Sequence, residues 1–181
     1  MNPSLQIQTG RLVLRPVGWA DLADLVALKT DPRAYAVMLG GVRTPNLVAD
    51  ELAEEIRAWS EQGFGIWAIR VVQNGSFVGI VGLQTRPDGR GVGLRFALSP
   101  LVRGQGFASE AAGAALRFGH DRAGLSRIVA VAREDNFASR TVLGSIGMQV
   151  CEQFIRDGVA LLVFESVRTV IQSQTPETML R

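Results

Sequence analysis

Two stretches of this chain carry residue types and spacings that can do chemistry. The first is Leu98-Ser99-Pro100-Leu101-Val102-Arg103-Gly104-Gln105-Gly106-Phe107-Ala108-Ser109-Glu110, in which two glycines and an arginine make a tight turn. Residues 94 to 98 are apolar except Arg95 and predict a strand. After the turn, Ala108, Ala111, Ala112, Ala115, Phe118 and Gly119 recur on one helical face. A strand running through a Gly-rich turn into a helix leaves backbone N–H groups unpaired at the helix start, and these suit an anion such as phosphate. Gly104 and Gly106 carry no side chain to hold that anion away. The second stretch is Asn136-Phe137-Ala138-Ser139-Arg140. Asn136 and Ser139 lie one helical turn apart, so both side chains can face the same gap. Asn136 also suits a helix N-cap, a role it can combine with ligand contact, and Ser139 also fits a plain helix position.

The turn is not a P-loop, which needs Gly-Lys-Ser/Thr at the helix start. Nor is it a dinucleotide fingerprint, whose third small residue would fall at Ser109. As Arg103-x-x-Gly106-x-Ala108 it resembles the pyrophosphate-binding turn of the GNAT acetyltransferases. The phrases around it are similar to the RimJ/RimL-like branch: residues 9–16 (TGRLVLRP), 63–69 (GFGIWAI), 79–83 (GIVGL) and 136–140 (NFASR). The resemblance covers about residues 9 to 168.

That resemblance implies an α+β GNAT fold: a mixed, mostly antiparallel sheet of about seven strands with a central V-shaped splay, and about four helices. It implies acetyl-CoA as donor, its pyrophosphate held by the backbone of Arg103, Gly104, Gln105, Gly106, Phe107 and Ala108. The backbone of Ala97 and Leu98 would pair with pantetheine, an N–H there polarising the thioester oxygen. Arg103 either pairs with phosphate or is a solvent-facing structural arginine. Asn136 and Ser139 would contact the cofactor and assist departure of the thiolate. Two departures from the family pattern stand out. Many members have a tyrosine where this chain has Leu143, and the branch often has a glutamate where it has Gly93. The general base is therefore unassigned, and Glu110 reads as a favourable first-turn acid. An α-amino acceptor, with a pKa of about 7.7–8, needs a base less than a lysine near 10.4. The implied activity is N-acetylation of a primary amine, at a protein N-terminus or on a small molecule. The alternative is a non-catalytic acyl-CoA sensor of the same fold.

The rest of the chain must position these residues. Its 181 residues, 47 % hydrophobic and 20 % charged, suit a single domain over residues 1–170 with a polar tail at 171–181. The 19 basic and 17 acidic residues nearly cancel and form no basic run, so nucleic acid is not the expected partner. No apolar run approaches the ~18 residues of a membrane span and no signal peptide is visible, so a cytoplasmic monomer or homodimer is expected. One histidine and one cysteine exclude an internal disulfide and a Cys/His metal cluster, and Cys151 reads as a small core residue in a strand.

In order, residues 12–17 predict a strand, 21–29 a helix, and Asp31-Pro32 a capped helix start. Tyr35, the only tyrosine, reads as packing or substrate wall. Thr44-Pro45 opens a helix with Val48, Leu52, Ile56 and Trp59 inward and Asp50, Glu51, Glu54, Glu55 and Arg57 outward. Residues 65–72 and 77–83 predict strands joined by an Asn74-Gly75 hairpin, and 92–98 another strand. After the central helix come a strand at 127–132, a helix from Asn136, and a hairpin of 149–155 with 159–168.

Overall fold

The strands read from alternation all join one sheet. In this computed structural model, which describes residues 5–168, eight strands lie in the order β1-β2-β3-β4-β5-β6-β8-β7. They are β1 (Ile7–Gln8), β2 (Leu12–Pro16), β3 (Ile66–Val71), β4 (Phe77–Thr85), β5 (Val92–Leu98), β6 (Arg127–Arg133), β7 (Gln149–Arg156) and β8 (Val159–Val167). The helices are α1 (Leu22–Lys29), α2 (Pro32–Tyr35), α3 (Pro45–Gln62), α4 (Phe107–Asp121) and α5 (Phe137–Ser145). Strand β1 has 2 residues and helix α2 has 4, each too short to show a period. The polar tail at 171–181 lies outside the described residues.

Local chemistry explains where the helices begin. Asp31 accepts a hydrogen bond from the Arg33 N–H ahead of Pro32, and Thr44 accepts one from the Leu47 N–H ahead of Pro45. Asn136 accepts one from the Ser139 N–H and opens α5.

Every neighbouring strand pair is antiparallel except β5 and β6, which are parallel and meet at one register position, Gly93 against Val129. Beyond that point β5 stays paired to β4 as far as Leu98, while β6 stays paired to β8 along its length. The two halves of the sheet therefore part in a V.

Each face carries its own core. Phe107, Ala111, Ala115 and Phe118 of α4 pack on Leu12, Trp67, Val81 and Leu94. On the other face Leu25, Tyr35 and Leu52 pack on Ile66, Ile80 and Ala97. Adjacent strand residues thus serve opposite faces, as the pleat requires. Trp67 is edge-on to Trp59 at 4.7 Å and to Phe118 at 5.0 Å, and the Trp59 indole N–H donates to the Ile66 carbonyl at 2.9 Å.

Two expectations fail. Glu55 is 3 % exposed rather than outward, and with the half-buried Glu51 it holds Lys29, which is fully buried. Its position falls on the buried stripe Val48, Leu52, Glu55, Trp59, and a lysine from α1 supplies the counter-charge there. Cys151 is exposed, because β7 is an edge strand with most of its residues in solvent.

Candidate active site

The phosphate-type turn is held open by its backbone and braced from the far end of the sequence. Gly104 and Gly106 both sit at φ +76°, and Gly106 is the N-cap of α4. Only glycine takes this conformation without strain. From Gly104 to Ser109, no N–H finds an acceptor among the described residues. The first intrahelical bond runs from the Glu110 N–H to the Gly106 carbonyl at 3.1 Å. These donors, at the positive end of a 15-residue helix, form an anion cradle. Phe107 contributes backbone only, since its ring is buried.

Arg11 was not foreseen as part of this site. Its guanidinium donates to the Gln105 carbonyl at 2.8 Å, lies 4.7 Å from the centre of the Phe107 ring, and pairs with Glu110 at 2.7 Å. Glu110 also accepts from the Thr9 hydroxyl at 2.6 Å and the Arg11 N–H at 2.9 Å. Burial pushes the Glu110 carboxyl up, but these hydrogen bonds and the Arg11 charge bring it below its ordinary value. Glu110 is therefore a fastener for the turn and a poor base. The signal was present in Thr9-Gly10-Arg11, but nothing local ties it to a helix one hundred residues on. The Arg103 guanidinium donates to the Arg33 carbonyl, which joins the turn to α2.

The splay supplies the second half of the site. The Ser99 N–H donates to the Val78 carbonyl at 2.8 Å. Alternate residues of an antiparallel strand turn their backbone groups the same way, so Ala97 and Arg95 face β4. Phe96 and Leu98 turn theirs toward the gap, where no strand meets them. Of the two expected pantetheine contacts, Leu98 thus faces the gap. Ala97 faces β4, with its side chain in the α1–α3 core, and Phe96 takes its place.

A cavity of about 430 Å³ occupies the splay. Asn136, Ser139 and Leu143 of α5 close one side and residues 37–40 the other, with Gly93–Phe96 and Ala130–Arg133 along the strands. Asn136 spends its side-chain oxygen on the Ser139 N–H at 3.1 Å, which leaves its amide N–H groups to face the cavity. Ser139 and Thr85 are the cavity's hydroxyls, and Thr85 donates to Gln62 at 3.0 Å. That leaves Ser139 as the uncommitted one. A broader groove of about 990 Å³ along the outer side of α4 lacks this convergence of splay, amide and hydroxyl.

The cavity holds no usable base. Its one carboxylate, Asp88, is bound by Arg86 and Arg90, and the Arg86 contact first among these lowers it to about 2. At Gly93 a Cβ would meet the Arg86 Cγ and Cδ at 3.0 Å, so the arginine stem covers the place a longer side chain would need. The single histidine, His120, bonds the Leu125 carbonyl at 2.7 Å and the Ser166 hydroxyl at 2.9 Å, at the opposite end of α4.

Known proteins are similar to this chain in sequence and fold. The family model of the acetyltransferase (GNAT) domain matches residues 11–149. Over 164 residues the chain is 27 % identical to the FsC-acetyl coenzyme A-N(2)-transacetylase of Aspergillus fumigatus, a match that covers 82 % of this chain. The chain spans 66 % of that enzyme's length. The acetyltransferase of Agrobacterium tumefaciens strain C58 superposes with a TM-score of 0.80 at 24 % identity, over 90 % of this chain and 94 % of the other. RimL, a ribosomal L7/L12 alpha-N-protein acetyltransferase solved with coenzyme A, superposes with a TM-score of 0.74 at 16 % identity, over 90 % and 97 %. At these identities the two structures attest the fold. With its splayed sheet and the open backbone turn before α4, the chain belongs to the GNAT acetyltransferase family, whose members perform acetyl-CoA-dependent N-acetylation.

Proposed function

We propose that this chain moves an acetyl group from acetyl-CoA to the nitrogen of a primary amine by direct attack. The observation that carries the reading is the cavity itself, where the splay, the Asn136 amide and the Ser139 hydroxyl converge beside an open anion turn. The site fits the donor: N–H groups from Gly104 to Ser109 lack acceptors among the described residues and suit a pyrophosphate. Acetyl-CoA supplies an activated acetyl group, transferred as a C–N bond forms and the C–S bond breaks.

The chain's own groups do the rest. The outward-turned N–H groups of Phe96 and Leu98 hold the pantetheine arm, and one of them donates to the thioester oxygen as negative charge grows there. Ser139 donates to the departing sulfur or relays a proton through water, with Asn136 orienting the arm. The amine proton passes to solvent, because the only lining carboxylate is committed to two arginines. An acceptor that is partly neutral at physiological pH suits such a site, which favours an α-amine with pKa about 7.7–8. The A. fumigatus relative is named for an N(2) transfer and RimL for a protein α-amine. With this reading go a single acyltransferase domain over residues 1–170, a cytoplasmic setting and a monomer or homodimer.

Thiol release from acetyl-CoA across peptides, amino acids, polyamines and aminoglycosides tests it. The expected result is turnover of α-amines with one basic limb near pH 7.7–8. Binding of CoA without turnover of any amine would replace the enzyme with an acyl-CoA sensor.

A further inference from the structure

The cavity that receives the acceptor is lined by four arginines, Arg86, Arg95, Arg133 and Arg156, against a single carboxylate, Asp88. Two of the four are neutralised in place. Arg86 is bound to Asp88, and Arg133 forms a two-point pair with Asp135 at 2.9 and 2.7 Å. The other two are not. Arg95 donates only to neutral oxygens, the Tyr35 hydroxyl at 3.0 Å and the Gln84 side-chain carbonyl at 3.1 Å. Arg156, exposed on β7, has no acidic partner among the described residues.

The acidic residues of α3, Glu55 and Glu51, attract Arg95 through space but form no bond with it. Glu55 bonds Lys29 through one oxygen at 2.9 Å, its other oxygen being buried without a partner among the described residues, and Glu51 bonds Lys29 at 2.9 Å and Arg43 at 2.6 Å. Three cations, Lys29, Arg43 and Arg95, thus stand against two carboxylates in that wall. The surplus is Arg95, which is the member that lines the cavity. A guanidinium held by two neutral acceptors keeps further N–H donors for an anion, and its planar fork matches a carboxylate or phosphate. An acceptor carrying extra positive charge would meet two arginines and, on the described lining of the cavity, only the arginine-bound Asp88.

On these grounds, and resting on the acetyltransferase reading above, we propose that the acceptor is a small primary amine that also bears an acid group, bound by Arg95 and Arg156. The acid is a carboxylate or a phosphate, and it positions the amine over the thioester held between β5 and β6. Such charge recognition acts through specificity more than through the bond-making step.

The test compares paired acceptors, an amino acid with its carboxamide and phosphoethanolamine with ethanolamine. Each is measured across pH so that kcat/KM is expressed per neutral amine, because the acid group also raises the basicity of the amine beside it. For wild type, kcat/KM for an acid-bearing member is expected to exceed that of its neutral partner by about ten- to a hundredfold, the range of a hydrogen bond to a charged group. The preference should shrink as salt is raised. Arg95→Gln and Arg156→Ala should each reduce the acid-to-neutral ratio at least several-fold. Which pair shows the preference tells a carboxylate from a phosphate. Arg156→Ala removes an exposed side chain, so it remains informative if Arg95→Gln disturbs folding, which melting curves report. A readout without turnover is the melting temperature of the CoA-saturated protein with succinate or inorganic phosphate. One of them should raise it in wild type and fail to do so in Arg156→Ala. Neutral partners or polyamines as the better acceptors, or a preference that survives both variants, would overturn the proposal while leaving acetyl transfer intact. Anion stabilisation without any amine turnover would uphold the anion site and remove the enzymatic reading instead.

Discussion

The two sides of the splay are built by different means. On the α4 side, the open turn is a contiguous stretch of backbone from Gly104 to Ser109, shaped by two glycines at φ +76°; Arg103, expected to belong to it, spends its N–H on the Pro100 carbonyl. On the α1–α3 side, the wall is an assembly of side chains from separate elements: Lys29, Tyr35, Arg43, Glu51, Glu55 and Arg95. A backbone site is set by φ and ψ and tolerates many side chains; a charge network depends on each partner. The donor side should therefore be most sensitive at its glycines, with a smaller effect at its Arg11 brace, and the acceptor side sensitive at nearly every member.

The sharpest way to break that contrast lies in the network. Lys29→Met leaves Glu55 buried without its counter-ion, and removing one partner of a buried pair costs about 3–5 kcal/mol. Chemical denaturation should show a loss of that size. A loss below about 1 kcal/mol, the range of exposed pairs, would mean that the pair is not buried as described.

Next in size is catalysis. Ser139→Ala is expected to lower kcat by about tenfold to a few hundredfold, at or below the usual range for proton-transfer catalysis. The Kd for CoA should hold, since the proposed phosphate contacts lie in the turn. Wild-type turnover in that variant would reduce Ser139 to a helix residue and make water the proton donor.

Smaller again is the brace. Arg11→Ala removes a half-exposed ion pair and the contact to the Gln105 carbonyl, so CoA affinity should weaken by about two- to fivefold. Isothermal titration against Lys29→Met, which touches no part of the turn, separates the two sides.

The pH dependence of stability also belongs to the network. Burial pushes the Glu51 carboxyl up, but Lys29 and Arg43 more than offset this, so its folded pKa lies below the ordinary value. The resulting stability is present above the unfolded pKa of about 4.3 and is lost as pH falls through the folded value. Burial pushes Lys29 down, yet Glu55, Tyr35 and Glu51 hold it above its ordinary value. Its contribution is complete below about pH 10.4 and fades as pH rises through the folded pKa. Melting temperatures across this range should form a plateau, and in Lys29→Met the plateau should fall while the part of its alkaline decline due to Lys29 disappears.

The same contrast explains what could be read from the chain beforehand. Turn, strand positions and helix starts are local: Gly106, Asp31-Pro32, Thr44-Pro45 and Asn136 each declare themselves within a few residues, and all fall where expected. The pairing of Arg11 with Glu110, and of Lys29 with Glu55, joins positions distant in sequence, and no period encodes such partners. The splay register is likewise tertiary. It places Phe96 rather than Ala97 beside Leu98 at the gap, a shift of one residue that turns the backbone to the other side. Exposure of Cys151 follows from β7 being an edge, which strand alternation alone does not reveal.

The most direct measurement is CoA binding to Gly106→Val. Wild type at a hundredfold over its dissociation constant should gain about 2.7 kcal/mol of stability from CoA. In the variant, a branched side chain stands at φ +76° in the cradle, with the Arg11 guanidinium 3.4 Å from its Cβ. It should remain folded, at a cost of about 1–3 kcal/mol for the strained backbone, and gain nothing from CoA. A CoA-induced melting shift equal to that of wild type would contradict the assignment of the donor site to this turn.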